Sequence, residues 1–418
     1  MANPQNQALS VEDSLRIAKA AYKGRDYAGA EKLCRTILQN ALVAEAMHLL
    51  GNVCVDTDRA GHGVDLIRRA TLEDPARREY SDSLEDAESV LESVGGREKV
   101  MYAFYDLQLS PVTFDIATFL VVAGSHCIEK GCKDMVVVFV PGSKEGFRPD
   151  PPHMDMRYSA DGKRWRLRHV LEASSWLSPF CRGTMVCRKR GEAMTLYASA
   201  GRAHVFPEAY HPLYPVAEYL IGHLIQRHGK GYSLPSIAPT PHALKRVDTW
   251  LDAHAGGRRA VTLTLREAAY VRERNSNLAA WVSFARWLDK DRFVPVFLRD
   301  EETVMERVPA ELAGFPSFNE GIWNVDLRTA LYERAYMNLL VSNGPAVLSF
   351  FNQNARTLTF KPETPNWYAT SLDFYRGNHW EPGTDLPSTD SRRHKWIWKE
   401  DEFEVLVEAF QAACAQPV

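Results

Sequence analysis

The chain has 418 residues, of which 45% are hydrophobic and 25% charged, and its formal net charge at pH 7 is −3. This composition is typical of soluble globular proteins, and the length predicts two or three domains. The nearly balanced charge gives no global basic field, so we expect no nucleic acid partner. No apolar run approaches the roughly 20 residues of a membrane span, and the first residues lack the pattern of a signal peptide. Seven scattered cysteines without a CxxC pair predict reduced thiols in a cytoplasmic protein.

Residues 1–97 are predicted to form an all-helical domain, because they lack strand-like runs and are rich in Ala, Leu, Glu and Arg. Small or apolar residues recur with an offset of 33: Ala18, Ala30 and Ile37 correspond to Gly51, Gly63 and Ala70. Small residues allow paired helices to approach closely, so the offset favours about two helix pairs and a capping helix near Ser83–Val94. The region resembles tetratricopeptide repeats, and an ordinary helical bundle is the alternative.

Residues 98–235 are predicted to form a first α/β lobe. Val100–Gln108 and Met135–Val140 are predicted strands, and Thr113–Lys130 is a predicted helix that Gly131 caps. This βαβ unit implies a parallel sheet with a right-handed crossover. The further predicted elements are helices over Leu167–Leu177 and Pro215–His228 and short strands at Met185–Cys187 and Met194–Leu196.

Residues 236–418 are predicted to form a second α/β lobe, which the Pro- and Ser-rich stretch Tyr232–Pro241 joins to the first. A helix over His242–His254 precedes a β-branched strand that ends before Arg266, an apolar-periodic helix and a second strand at Val294–Leu298. The remaining predicted elements are a helix over Ala330–Asn338, a strand at Leu339–Val341 and a final helix over Lys399–Ala412. The expected fold is therefore two Rossmann-like lobes preceded by an all-α, repeat-like domain.

The loop after the first strand of the second lobe concentrates side chains that bind anions. Ligands bind beyond the carboxyl ends of parallel strands, and guanidinium groups suit bidentate contacts with phosphate. We predict that a phosphate or pyrophosphate contacts Arg266, Arg272, Arg274, Asn275 and Asn277. Glu267 and Glu273 dilute this positive charge, so a solvated, ion-paired loop is the alternative.

A second anion-binding turn is predicted at Ser342-Asn343-Gly344-Pro345, between a short apolar strand and a predicted helix. Backbone N–H groups at a helix start accept anions, and proline is well tolerated in the first helical turn. A plain strand–helix turn is the alternative. Since the carboxyl ends of parallel strands face one crevice, we expect Ser342, Asn343 and Gly344 to lie near the Arg266 loop.

Other candidate residues lie at strand ends of the first lobe and in an aromatic group. Asp106 and Gln108 lie at the end of the first strand, and Glu145 follows the next, so they are expected to line the facing side of a cleft. Asp106 or Glu145 is a candidate general base, with helix capping or surface solvation as the alternative. Trp323 is a candidate stacking platform for a base or sugar, with core packing as the alternative.

Several catalytic motifs are absent from the sequence. It contains no GxxxxGK[ST] loop, no GxSxG elbow, no HExxH pair and no GxGxxG after a strand. A P-loop nucleotidase, an α/β hydrolase, an HExxH zinc protease and a dinucleotide-binding dehydrogenase are therefore disfavoured.

Two α/β lobes with phosphate-binding groups in the second resemble a GT-B glycosyltransferase. The pattern Thr264-Leu265-Arg266-Glu267 is similar to fucosyltransferases that bind GDP-sugars through an arginine after a strand, with Thr264 where that group has histidine. A tetratricopeptide-like array joined to such a module resembles O-linked protein glycosyltransferases.

This resemblance implies transfer of a sugar from a nucleotide-sugar donor to an acceptor, with no cofactor and no metal. Arg266 would bind the diphosphate, with Asn343 and Gly344 in support, and the acceptor, possibly a protein held by the helical domain, would enter near Asp106, Gln108 and Glu145. Two other functions stay open: a nucleotide-sugar epimerase or hydrolase, and a non-catalytic interaction protein with a degenerate GT-B module.

Overall fold

The computed structural model describes residues 10–57, 59–94, 100–149, 158–200, 204–301 and 303–416. The chain divides into two compact units, one of Met1–Val100 with Lys189–Val205 and one of Met101–Arg188 with Phe206–Val418. These units differ from the predicted domain boundaries in two ways. A segment of the predicted first lobe groups with the helical region, and the two predicted lobes share one unit.

The first unit is helical throughout its described N-terminal part, as predicted. Its helices there are α1 (Val11–Lys23), α2 (Tyr27–Asn40), α3 (Ala44–Asp56), α4 (Ala60–Glu73) and α5 (Arg78–Val94). Helix α3 begins 33 residues after α1, and α4 begins 33 residues after α2, which matches the offset read from the sequence. The identity of these pairs as tetratricopeptide repeats stays a prediction.

The two glycines at the predicted offset allow α3 and α4 to cross closely. A Cβ built on Gly51 would lie 3.0 Å from the carbonyl oxygen of Gly63, and one built on Gly63 would lie 2.7 Å from that of Gly51. Any side chain at either position would force the helices apart. The buried Ala18 and Ala30 stand at the corresponding positions of the first pair.

A helix from the middle of the chain, α8 (Arg190–Ala200), completes the first unit. The buried Arg68 pairs with Glu88 at 2.7 Å and donates to the carbonyl oxygens of Tyr197, at 3.2 Å, and Ala198. These carbonyls belong to the last turn of α8, where a cation is favourable because they have no partner within the helix. The predicted strand at Met194–Leu196 is wrong, because it lies inside α8, a run rich in the good helix formers Ala, Met and Leu.

The second unit contains two separate sheets, which agrees with the predicted mixed α/β architecture. The first sheet contains β1 (Val100–Asp106), β2 (Asp134–Val140), β3 (Cys181–Val186) and β4 (Val205–Phe206), in the order β3-β2-β1-β4. Strand β2 pairs in parallel with β3. Helix α6 (Ile116–Lys130) connects β1 to β2 and ends at Gly131, whose φ of 65° places it in the left-handed conformation typical of a helix cap.

Two helices of this part differ from the sequence prediction. Helix α7 (Ala160–Arg166) continues through a π-helical turn, Leu167–Glu172, into a helical Ala173–Ser175, so it begins before the predicted Leu167. Helix α9 (Ile221–Gly229) begins after the predicted Pro215. Its helical spacing of apolar residues starts only at Ile221 and continues through Leu224 and Ile225.

The second sheet is parallel throughout. It contains β5 (Arg259–Thr264), β6 (Phe293–Leu298), β7 (Met337–Val341), β8 (Thr357–Phe360) and β9 (His394–Ile397), in the order β6-β5-β7-β8-β9. Pro295 pairs with Val261 and lacks a backbone donor, which is tolerated because β6 lies at the sheet edge. This strand order is that of a doubly wound α/β fold.

The remaining helices pack around the second sheet. They are α10 (Pro241–Ala255), α11 (Leu278–Trp287), α12 (Glu320–Trp323), α13 (Val325–Arg334), α14 (Val347–Phe350), α15 (Leu372–Gly377) and α16 (Phe403–Ala415). The predicted helix Ala330–Asn338 is too long, because Asn338 belongs to β7, where its side-chain amide donates to the carbonyl of Tyr332 at 2.8 Å and accepts from the hydroxyl of Thr262 at 2.6 Å. Within the described ranges, no helix has the length and apolarity needed to cross a membrane.

Candidate functional site

The crevice of the second sheet lies between β5 and β7, because the chain turns from β5 towards β6 and from β7 towards β8, in opposite directions. Ligands of open α/β sheets bind at such a switch point, outside the carboxyl ends of the strands. The loops that follow β5 and β7 meet here: Arg274 donates from Nη2 to the carbonyl oxygen of Ser342 at 2.8 Å. The structure thus brings together the two loops in which sequence analysis places anion-binding residues.

The side chain of Arg266 points into its own loop. Its side chain is only 4% exposed. Its guanidinium donates to the carbonyl oxygens of Tyr270, at 3.1 Å, and Val271, at 3.0 Å, and to the side-chain oxygen of Asn275, and it lies over the ring of Tyr270. With these acceptors engaged, Arg266 is placed to hold the loop in shape. Direct contact of this side chain with a diphosphate stays a prediction.

The two asparagines of the loop are also occupied by local hydrogen bonds. The side-chain oxygen of Asn275 accepts from the N–H of Ala268 at 3.1 Å, and its amide donates to the Ala268 carbonyl at 2.9 Å. The side chain of Asn277 caps α11 by accepting from the N–H of Ala280 at 3.3 Å. Asn275 and Asn277 thus shape the loop through this turn and cap chemistry, and their contact with a phosphate stays a prediction.

The arginines of the short 3₁₀ turn Arg272–Arg274 remain as the cationic residues of this loop. Arg272 is exposed, and Arg274 is half-buried beside the turn after β7. Glu267 does not dilute their charge as the sequence suggested, because it pairs with the buried Arg299 through contacts of 3.1 and 3.2 Å. Glu273 is exposed next to Arg272.

The turn Ser342-Asn343-Gly344 lies at the end of β7 and approaches the first-lobe part of the unit. The side-chain oxygen of Asn343 accepts from the N–H of Ala346 at 3.2 Å, so it caps the 3₁₀ turn that follows. A Cβ built on Gly344 would lie 3.0 Å from Cδ2 of Phe114. This close approach places the turn beside Phe114 and therefore near the residue that follows it, Asp115.

The candidate residues after β1 and β2 hold loops in shape. Asp106 is 1% exposed, and its carboxylate accepts from the N–H of Gln108 at 3.0 Å and from the hydroxyl of Tyr210 at 2.8 Å. The side chain of Gln108 accepts from the N–H of Ser143 at 2.7 Å. Glu145 is exposed at the tip of the next turn with a φ of 51°. This geometry gives Asp106 and Gln108 structural roles and does not support a general base at Asp106.

Asp115 is the acidic residue that sequence reasoning missed. It precedes α6, where an aspartate usually caps the helix, yet its side chain makes no capping hydrogen bond. The residue is exposed, and desolvation by the protein atoms around the carboxyl raises its pKa above the ordinary aspartate value. A hydrogen bond from Thr113 at 2.6 Å and the charges of Arg148 and Arg274 act in the opposite direction.

The charges of two arginines therefore act on Asp115: Arg148 from the part of the unit with the first sheet and Arg274 from the part with the second. Arg148 follows β2 and donates to the carbonyl of Leu109 at 3.0 Å, with Tyr219 Oη at 3.4 Å. Burial raises the pKa of Tyr219, and the charge of Arg148 opposes this rise. A carboxyl whose pKa is raised, within the field of two guanidinium groups, is the kind of constellation that perturbed active-site groups form.

Trp323 lies in α12, and its indole is 40% exposed. It contacts Trp165 edge to face, with ring centroids 5.9 Å apart. Trp323 lies on a different element from the loops after β5 and β7, and its role as a stacking platform stays a prediction. Among the residues that the structure describes, no group of three or more His, Cys, Asp or Glu side chains is placed to hold a metal ion.

No protein-family model matches the chain, and no curated protein matches its sequence. Among solved structures, the chain is similar to a family 9 glycosyl transferase from Veillonella parvula DSM 2008, with 10% identity and a TM-score of 0.47 over 76% of this chain and 98% of that one. It is also similar to E. coli ADP-heptose LPS heptosyltransferase II, with 9% identity and a TM-score of 0.39 over 76% of this chain and 99% of that one. A third similar structure is fucosyltransferase NodZ from Bradyrhizobium, with 12% identity and a TM-score of 0.28 over 61% of this chain and 94% of that one.

Proposed function

We propose that this chain is a glycosyltransferase of the GT-B type that moves a sugar from a nucleoside-diphosphate donor to an acceptor. One observation carries the proposal: Arg274, at the switch point of the second sheet, contacts the turn after β7, and Gly344 of that turn lies against Phe114, which precedes Asp115 in the loop after the central strand β1 of the first sheet. An anion-binding group and a candidate base are thus brought near each other. Because the structural likenesses have TM-scores below 0.5, we rest the proposal on these residues alone.

The donor diphosphate would be held by the loops after β5 and β7. Arg274 and Arg272 supply guanidinium groups, which suit phosphate oxygens because they donate two parallel hydrogen bonds. Ser342 and Gly344 line the facing turn, where the lack of a side chain at Gly344 allows Phe114 to approach closely. Arg266, Asn275 and Asn277 act indirectly, by fixing the shape of the loop that carries Arg274.

Asp115 would act as the general base. The acceptor hydroxyl oxygen forms a bond to the anomeric carbon, the bond from that carbon to the diphosphate oxygen breaks, and the hydroxyl proton passes to the Asp115 carboxylate. The electron pair of the broken bond remains on the nucleoside diphosphate, whose added charge Arg274 stabilises. Guanidinium groups supply this stabilisation without a metal ion, so we propose a metal-independent reaction with no further cofactor.

The acceptor is proposed to be a protein. The helical unit repeats its helix pairs at a 33-residue offset, and stacked helix pairs form extended surfaces that bind polypeptide. All seven cysteines are free thiols, and we propose a cytoplasmic site of action, where thiols stay reduced.

Two assays test the proposal. A thermal-shift panel of UDP, GDP, ADP and CDP should show one nucleotide that stabilises the chain in a concentration-dependent way. Consumption of the corresponding nucleotide sugar should then depend on an acceptor and should be lost in Asp115→Asn but not in Asp161→Asn, a control at a carboxyl that is 92% exposed.

Each negative outcome has a distinct meaning. Conversion of the donor without an acceptor would replace transfer with an epimerase or hydrolase activity. Absence of any nucleotide effect would overturn the proposal in favour of a non-catalytic interaction protein.

A further inference from the structure

A recess of about 480 Å³ lies at the edge of the second sheet opposite to the proposed transfer site. Its lining includes Gln353 and Asn354, which precede β8, and Ser388 and Arg393, which precede β9. These residues lie at the amino ends of the parallel strands, whereas the crevice loops follow the carboxyl ends of β5 and β7. The volume is within the range of pockets that hold small organic ligands.

Apolar side chains from several elements form the wall of the recess. They are Val121 on α6, Leu224 on α9, Leu234 and Pro235 in the segment before α10, and Phe350 and Phe351 at the end of α14. Val121 and Leu224 are buried, so this wall is part of the packed interior rather than a loose surface patch. Such a wall favours an apolar body in the ligand, since it removes apolar area from water.

Two polar side-chain atoms in the lining of the recess are buried and lack hydrogen-bond partners. His394, the first residue of β9, is 3% exposed, and its Nδ1 has no partner. The hydroxyl oxygen of Ser388 is likewise buried and unpartnered. Buried polar atoms are nearly always hydrogen-bonded, so two such atoms in the lining of one recess indicate a polar group supplied from outside. Burial also lowers the pKa of His394 to about 4, so its ring is neutral at pH 7, with one nitrogen as donor and the other as acceptor.

The charges of the lining favour an anion. Arg393 is the cation of the lining, and its guanidinium donates to the Asn354 carbonyl through a long contact of 3.4 Å. Asp390 also lines the recess, but Arg392 neutralises it through contacts of 3.0 and 2.8 Å. We propose that this recess is a binding site for a small amphipathic organic anion, whose apolar body packs on Phe350 and Phe351 and whose acidic group is bound by Arg393.

This site is independent of sugar transfer, and two fluorescent probes test it on the full chain. Anilinonaphthalene sulfonate carries an apolar body and an anionic group, and N-phenylnaphthylamine carries a similar body without charge. We expect both to bind the native chain in a saturable way at one site. Arg393→Gln should weaken binding of the sulfonate at least about tenfold, because a charge-assisted contact is lost, and should leave the neutral probe unchanged. Arg376→Gln, at an exposed arginine of α15, is the matched control and should change neither.

Blocking variants make the test specific. Gln353→Trp and Asn354→Trp place an indole at the exposed rim, so each should fold and should abolish binding of both probes. Unchanged thermal unfolding confirms that the probes report a native site and not a loosened core.

The probe titrations would overturn the proposal if the native chain showed no saturable binding or if binding survived both rim variants. A sulfonate affinity that Arg393→Gln leaves unchanged would overturn it as well. Excess nucleoside diphosphate should not displace the probes. Displacement by the nucleotide would place them in the proposed transfer site and would also refute the separate recess. A failure of nucleotide binding alone would leave these results unaffected.

Discussion

Replacing Arg266 with alanine tests whether this arginine holds its loop or binds the donor. The change removes the donor to the Tyr270 and Val271 carbonyls and one of the two donors to the Asn275 side-chain oxygen, which keeps the N–H of Ala268. An unsatisfied buried polar group costs about 1–3 kcal/mol, and water can reach part of this loop. We therefore expect Arg266→Ala to lower the free energy of unfolding by about 2–4 kcal/mol, near the upper end of single substitutions.

Urea unfolding followed by tryptophan fluorescence measures the global effect, and amide hydrogen exchange measures the local one. The N–H of Ser276, which donates to the Arg266 carbonyl at 3.0 Å, should exchange faster when the loop loosens. Arg272→Ala, at an exposed arginine of the same loop, is the control and should change stability by less than about 0.5 kcal/mol. An Arg266→Ala variant that loses nucleotide binding with neither a stability loss nor faster exchange would refute the loop-holding role.

Three further substitutions test other parts of the site. Asp115→Asn should abolish transfer yet leave stability at pH 7 unchanged or raised. Desolvation raises the folded-state pKa of this carboxyl, so the carboxylate opposes folding above that pKa. Paired activity and urea assays decide, and a loss of stability that matches the loss of activity contradicts the prediction. Glu267→Gln should lower the free energy of unfolding measured in urea by about 2–3 kcal/mol, because it leaves the buried Arg299 unpaired. A change below about 0.5 kcal/mol would show that this ion pair does not stabilise the fold. Gly344→Val should weaken nucleotide binding in calorimetry at least about tenfold, since its side chain meets Phe114; an affinity unchanged within about threefold would contradict the close approach.

Matched variants separate these effects from general damage to the chain. Gly377→Ala adds a methyl where no atom lies within 4 Å of the new Cβ, so nucleotide affinity should stay unchanged. The pH dependence of the native chain is the matched measurement for Asp115→Asn. The activity of the native chain should fall as pH decreases through the raised pKa of Asp115, because the general base must be deprotonated.

The placement of the site at strand ends could be predicted from the sequence. The β-branched run before Arg266 and the apolar run before Ser342 both form strands, and parallel strands end at one edge of a sheet. The direction of each side chain could not be predicted. Arg266 and Arg274 lie in one loop, but Arg266 turns inward to backbone carbonyls while Arg274 reaches the neighbouring turn, a difference set by tertiary contacts.

Asp115 and α8 show two other limits of sequence reasoning. An aspartate before an apolar helix has the pattern of a helix cap, and only the structure shows that this carboxyl makes no cap and lies near Arg148. The segment Arg190–Ala200 contains short apolar runs that resemble a strand, and its membership in the helical unit depends on Arg68, more than a hundred residues away. Such long-range contacts leave no periodic pattern in the sequence.

The central claim is that Arg274 and the turn after β7 bind a nucleoside diphosphate. Isothermal titration of the full chain with UDP, GDP, ADP and CDP, repeated on Arg274→Ala, tests it most directly. We predict that at least one nucleotide binds at one site and that Arg274→Ala weakens it at least about tenfold, or about 1.4 kcal/mol, with the urea midpoint unchanged. Binding of none of the four, or equal binding by Arg274→Ala, would contradict the claim.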